Sequence, residues 1–336
     1  MAVIFCSPRM AAPGILPRPY FLAKRISLLF LALSFSALNL FAEEEIEEHV
    51  KMLSAQIGPR NPAHYENLNR AADYIKAEFE RYGYEPAEQV YAMSVVPAPG
   101  ASFRNIIAVK SGAAKKDEVI IVCCHYDTHR VSPGADDNAT GVAAVLELAR
   151  LIRRTSLERT VKFIAFTNEE LELVVQDKDM GSYRYAEAAR KRGERIEGVI
   201  CLDMLGFYSD KPGSQARPLV LMPFYPDKGN FIGMTSDAAS YRLLMTTIRE
   251  FKKASDMPLE YLVVPAPFLP QIMTSDNRSF WTFGYESVWI SDTCIYRNTK
   301  MHTKEDTCEK LDYRNISRVV KGVYAVILKL AGEIKN

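Results

Sequence analysis

The sequence predicts an α/β protein: a mostly parallel, mixed central sheet with helices on both faces. Two observations carry that prediction. Short runs rich in β-branched residues, apolar without alternation, take turns along the chain with segments whose apolar residues recur at helical spacing. Strands of that kind are buried on both faces, as in sheets built from strand–helix–strand units. The second observation is that His125, Glu170 and Asp203 each follow such a run, after Cys124, Phe166 and Leu202. In open α/β sheets ligands bind beyond the carboxyl ends of the strands, so one rim gathers groups from distant parts of the chain.

Residues 1–42 are set apart from this domain. Lys24-Arg25 precede a mostly apolar run from Ile26 to Phe41, which ends at Ala42 before Glu43-Glu44-Glu45. A basic head, an apolar middle and a small residue are the pattern of a secretory signal. The run is short against the roughly 20 residues of a spanning helix, and an uncleaved anchor is the competing reading. The head before Lys24 is long, which leaves open a start at Met10 or a cytoplasmic head. The expectation is a signal peptide or anchor over 1–42 and one domain over 43–336. The location is secreted or periplasmic, with membrane contact only if the segment stays uncleaved.

The elements follow in order. Leu68, Ala71, Ala72, Ile75 and Phe79 predict a helix that stops near Gly83. A second follows Asn138, with Val142, Val145, Leu146 and Ala149 on one face; a third runs near Tyr241–Phe251; a fourth carries Ile316, Val319, Val320, Val323 and Ile327 inward. Strands are expected at Val119–Val122, Val161–Phe166, Val199–Leu202, Leu219–Met222, Tyr261–Val264 and Val288–Ile290.

Composition fits a folded globular chain: 336 residues, 48% hydrophobic and 25% charged. Removing residues 1–42 takes away Arg9, Arg18, Lys24 and Arg25 and no acid, leaving 38 basic against 41 acidic side chains. That balance gives no support to nucleic-acid or anionic-membrane binding. Of the five cysteines that remain, Cys123, Cys124 and Cys201 fall in strand runs as buried thiols. Cys294 and Cys308 flank His302 and could bridge in an oxidising compartment.

The chemistry-bearing residues are His125, Asp137, Glu170, Asp203 and His302, with Glu169 beside one of them. A lone histidine is more often structural, but Asp127, two residues after His125, can hold an imidazole tautomer. Pro133-Gly134-Ala135-Asp136-Asp137-Asn138 opens a helix. It reads either as an acidic capping turn, with Asp136 as cap or support, or as a rigid mount from which Asp137 bridges two metals. Glu169-Glu170 beyond a buried strand can split the work, one ligating a metal and the other taking a proton from its water. Asp203 at a strand end is otherwise a common turn acid. His302 is a candidate for the last ligand and Asp306 for a supporting acid; His49, His64 and His129 lack comparable settings, and His129 reads as a solvated loop residue.

Together these segments resemble the secreted bacterial zinc aminopeptidase family, of the di-zinc exopeptidase superfamily that also holds glutamate carboxypeptidase and glutaminyl cyclase. HYDT, PGADDNATG, FTNEE, LDMLG and MHTKEDT occur in the family's order. With DMGSYRYA, SDNRSFW and YRNTKMHTKEDTCEKLDY the similarity covers most of residues 55–332. The resemblance implies the zinc exopeptidase (phosphorylase/hydrolase-like) fold with about eight strands. It implies two Zn2+ per chain, one on His125 and Asp203, the other on Glu170 and His302, bridged by Asp137, with Glu169 as general base. The implied activity is hydrolysis of the N-terminal peptide bond of a peptide substrate. The chain departs from the pattern at Leu171–Met180, which is longer and more charged than in many relatives. It also carries Asn277 where relatives often have His, and Phe207–Gly233 as an insertion-like lid candidate.

Two other readings stand beside it. A glutaminyl cyclase-like enzyme would hold one Zn2+ and cyclise an N-terminal Gln without an attacking water. The Gly134–Asp137 turn and the Asp306-Thr307 ending favour the peptidase. A receptor-like ectodomain should lack a ligand, and all five are present. Substrate-binding residues are unknown from sequence; Phe224, Tyr225, Phe268, Phe280, Trp281 and Tyr296 are aromatics that core packing would equally use. Oligomeric state is not legible.

Overall fold

β3, Lys115–His125, is the strand around which the protein is organised. Its run splits by the two-residue period of a strand. Ile120, Val122 and Cys124 enter one buried cluster, and Val119, Ile121 and Cys123 enter another on the opposite face. That double burial is why the run shows no polar alternation. A computed structural model of the chain describes residues 43–93, 101–170, 177–217, 225–264 and 275–334.

A helix over 43–51 (α1) continues into a π-helical turn, Met52–Ile57. Then follow α2 Tyr65–Arg81, β1 Ala87–Tyr91, β2 Phe103–Lys110, β3, α3 Gly141–Ile152, β4 Arg159–Phe166, α4 Gly181–Lys191 and β5 Arg195–Leu202. The rest of the chain adds β6 Ile232–Asp237, α5 Tyr241–Ala254, β7 Leu259–Val264, α6 Asn277–Thr282, β8 Ser287–Ser291 and α7 Tyr313–Ala331. The eight strands form one mixed sheet in the order β1-β2-β4-β3-β5-β8-β6-β7. Pairs β3–β4, β3–β5, β5–β8 and β6–β7 are parallel; β1–β2, β2–β4 and β6–β8 are antiparallel. Buried side chains of α2, α3, α5 and α7 line the larger cluster, while α4 and α6 supply Tyr185, Ala186, Ala189 and Phe280 to the smaller. This is the expected α/β architecture with helices on both faces.

Register assembles the rim. Cys123 lies opposite Cys201, so His125 and Asp203, each two residues further on, emerge side by side. His125 lies opposite Phe166, so Thr167–Glu170 leaves the sheet next to it.

The expected helices form, and α2 gives way to Gly83 in a left-handed conformation (φ 85°). Five expected strands lie inside β3, β4, β5, β7 and β8. Leu219–Met222, Phe224, Phe268, residues 171–176 and the segment 1–42 lie outside the described residues. The possible Cys294–Cys308 bridge is not formed. The Cys294 thiol is buried against the Ser291 hydroxyl at 3.2 Å, and the partly exposed Cys308 thiol faces Glu309. Among the described residues no helix is long and apolar enough to cross a membrane.

Candidate metal centre

The five predicted ligands converge into two overlapping donor groups, His125–Asp137–Asp203 and Asp137–Glu170–His302. Within each group the donor atoms lie within 4.8 Å of one another. In the first, His125 Nε2 is 3.4 Å from Asp137 Oδ1 and 3.3 Å from Asp203 Oδ1. In the second, His302 Nε2 is 3.2 Å from Asp137 Oδ2 and 2.9 Å from Glu170 Oε1. Asp137 thus offers one oxygen to each side. Four of the side chains are at most 9% exposed; His302 is 39% exposed.

These distances fit a divalent cation. Charge-assisted N–H···O bonds run at about 2.7–2.9 Å, shorter than three of the four separations. Two ligands on one tetrahedral zinc at about 2.0–2.1 Å stand roughly 3.3 Å apart. His125 supplies a second test. Its Nδ1 faces the Asp127 carbonyl at 3.2 Å, and a carbonyl can only accept, so Nδ1 carries the proton. Nε2 then faces the Asp137 and Asp203 carboxylates, a position that suits either a second proton on the ring or a metal ion between the three groups. In the second group Asp137 Oδ2, Glu170 Oε1 and His302 Nε2 are buried with no hydrogen bond of acceptable geometry.

The electrostatics say the same. Burial opposes a charge on His302, but its contacts with Asp137 and Glu170 pull its pKa up to about 11. Burial likewise opposes a charge on His125, and Asp203, Asp127 and Asp137 together raise it well above the ordinary histidine value. Burial pushes the Glu169 carboxyl well above the usual carboxylate range, with the His125 imidazole working against the shift. The centre is a crowd of acids that holds protons where a metal would otherwise neutralise it.

Local sequence explains how these groups are held. The Asp127 carboxylate accepts the backbone N–H groups of both Glu169 and Glu170, at 3.1 and 3.0 Å, and thereby presents the Glu-Glu pair. It stands 3.7 Å from His125 Nδ1, so its main partners are backbone amides. Asp306 does the same service for the turn at Asp137, accepting the N–H groups of Asp136 and Asp137 at 3.0 and 3.2 Å. Asp136 acts as a support rather than a helix cap: it accepts Gly206 N–H at 2.9 Å and the Asn298 amide at 2.8 Å. Asn138 donates to the Leu202 carbonyl and accepts Gly141 and Met204 N–H, tying the turn to the end of β5.

Several contributors were not identified from the sequence. Arg60 is fully buried and donates to the carbonyls of Tyr126, Pro133 and Gly134 at 2.6, 2.6 and 2.8 Å. Asp276 is buried, and burial pushes its carboxyl up to about 7. A single sequence carries no signal for Arg60, because these partners are backbone carbonyls 66 to 74 residues away. His129, read as a solvated loop residue, is instead stacked on His302. Of the aromatic pocket candidates, Phe280 is core and the Trp281 indole donates to the Ser287 carbonyl. Tyr225 and Tyr296 are half-buried. A second His–acid cluster, Glu45–His49–Glu78, is engaged by protein partners. His49 meets the hydroxyls of Tyr74 and Tyr82 at 2.6 and 3.0 Å, and both acids pair with Arg81.

Known proteins share this arrangement of chain. The chain is 32% identical over 293 residues to the uncharacterized protein YfbL of Escherichia coli K12, across 84% of this chain and 87% of that one. It is 36% identical over 235 residues to aminopeptidase YwaD of Bacillus subtilis, across 67% of this chain but 45% of that protein's length. Among solved structures, BSAP, a zinc aminopeptidase from Bacillus subtilis, superposes with a TM-score of 0.66 at 16% identity, over 85% of this chain and 94% of that one. A Bacteroides thetaiotaomicron glutaminyl cyclase gives 0.63 at 18% identity, over 85% and 97%. At such identities the two structures share the fold with this chain and nothing finer. The sequence pattern of peptidase family M28 matches residues 105–327, which take in all five donors and Glu169. With most of the chain inside that match, this protein belongs to peptidase family M28.

Proposed function

We propose that this protein is a zinc-dependent aminopeptidase that removes the N-terminal residue of peptides. The observation that supports this most directly is the pair of donor groups sharing Asp137, one oxygen to each. In this reading His125 and Asp203 would hold one zinc, Glu170 and His302 the other, and Asp137 would be shared between them. Residues 43–336 form the catalytic domain, and 1–42 is its signal peptide or anchor, which would place the enzyme outside the cytoplasm. The relatives named as aminopeptidases favour an N-terminal substrate.

The chemistry that a bound zinc pair supplies is polarisation of the scissile carbonyl and a water whose pKa is lowered towards about 7. The chain's own contribution is general acid–base catalysis by Glu169. Its carboxylate takes a proton from the attacking water as the water oxygen joins the carbonyl carbon. It then returns that proton to the nitrogen as the C–N bond breaks. Asp127 keeps the carboxylate in place through the Glu169 and Glu170 amides.

The test is metal content per chain of the purified protein, with assays on aminoacyl-p-nitroanilides and on a Gln-initiated peptide. Two zinc ions and anilide hydrolysis are expected. One zinc with pyroglutamate formation would make the protein a cyclase instead.

A further inference from the structure

His302 is the exception among the five donors. The others leave from the ends of strands or from the buried turn at Asp137; His302 leaves from a loop, at φ 62°, and is the most exposed of them. A ligand placed this way needs its ring orientation set by something other than its backbone. One face of the ring is covered by His129, whose imidazole lies parallel to it, with centroids 4.8 Å apart and planes 9° apart.

His129 is itself rigidly mounted. Its loop, residues 126–134, runs from the donor His125 to the donor Asp137. The buried Arg60 guanidinium grips both ends of it, through Tyr126 O at one end and Pro133 and Gly134 O at the other. The Asn61 amide donates to the carbonyls of His129 and Arg130, both at 3.3 Å. Thr128 accepts the Arg60 N–H at 3.1 Å and donates its own N–H to the Arg60 carbonyl at 3.0 Å. Ser132 N–H closes the turn on His129 O at 3.1 Å. The backbone that presents His129 is therefore held by contacts that do not involve His302.

We propose that His129 is a positioning residue for the second metal half-site. The loop locked by Arg60 and Asn61 holds the His129 imidazole flat against His302, and this stacking fixes the orientation in which His302 Nε2 meets Asp137 and Glu170. The inference rests on the reading of His302 as a metal ligand. It adds that the loop joining the donors of the first half-site also organises the second.

The experiment titrates zinc, in competition with a chromogenic chelator, into the metal-stripped full-length protein and its His129→Ala, His129→Phe and His302→Ala variants. Melting of each stripped protein is followed alongside. Wild type takes up two ions, and His302→Ala loses the weaker. His129→Ala keeps the tighter ion unchanged and binds the weaker one about 10–100-fold less well, the range for groups that orient a ligand. His129→Phe, which keeps a flat ring, stays near wild type, and the stripped proteins melt together. If His129→Ala binds both ions as wild type does, or His129→Phe is as weak as His129→Ala, stacking does not position His302. If wild type takes up no second ion, or His302→Ala keeps it, the ligand reading itself falls and this inference with it.

Discussion

At Glu169 and Asp127 neighbouring carboxylates have different work. Glu169→Gln keeps the shape and removes the proton acceptor, so kcat should fall at least about 10²–10⁴-fold, the usual yield of general acid–base catalysis. Zinc content should stay unchanged; near-normal turnover with full metal would remove Glu169 from the mechanism. Asp127→Ala strands two backbone N–H groups beneath the Glu-Glu pair. Stranded buried donors cost about 1–3 kcal/mol each, and lost supporting groups weaken metal binding about 10–100-fold. Chemical denaturation and zinc competition should therefore both register Asp127→Ala. His49 gives the pH dependence. Burial holds its pKa down at about 4, with Glu45 pulling the other way, so the folded state keeps the ring neutral. The stability this contributes is complete above pH 6.5 and is lost as pH falls from 6.5 towards 4, in total about 3 kcal/mol. Urea midpoints of metal-stripped protein across that window should drop less steeply for His49→Gln than for wild type; parallel curves would count against the assignment.

Among the elements, the turn into α3 carries the most constraint. Gly141 follows it, and a Cβ there would come 2.3 Å from Asn138 Oδ1 and 2.5 Å from the Leu202 carbonyl oxygen. The second contact is backbone, so Gly141→Ala must push α3 away from the end of β5. Such overpacking costs typically 1–3 kcal/mol, and the displaced turn carries Asp137. The variant should unfold at lower urea and bind zinc more weakly; an unchanged zinc titration would mean the turn is not anchored through Asn138. Strands differ in how openly they show themselves. β3, β4 and β5 are buried on both faces and announce themselves by unbroken apolar runs. β6 interleaves Gly, Thr and Asp with its buried residues, and β1 is a half-exposed edge strand, so neither carries such a run. β2 contains Asn105, buried because its amide donates to Gln89 and Gly181 and its oxygen accepts Thr167 N–H. A polar residue satisfied by distant partners looks in sequence like a break in the strand.

Over the whole molecule, the acid-rich centre predicts how stability responds to metal. A ligand that binds only the folded chain stabilises it by RT ln(1 + [L]/Kd). Chelation should therefore lower the melting temperature and zinc should restore it, and a melting curve indifferent to both would argue against a metal centre. What the sequence determined by itself was the class of fold and a set of candidate donors. Both-face burial leaves an unbroken apolar run, and strand ends in such a sheet face the binding rim, so position marked His125, Glu170 and Asp203 as candidates. Asp137 and His302 joined them by residue type and motif. Only the tertiary structure decided how they meet. Register put Cys123 beside Cys201 and so His125 beside Asp203. Backbone hydrogen bonds to Asp127 and Asp306 decided what those acids support. Arg60 and His129 became part of the site through partners whose separation in sequence has no period: buried carbonyls for one, an imidazole 173 residues away for the other. Periodicity reports which face a residue occupies; it carries no information about which distant backbone atom or ring will lie against it.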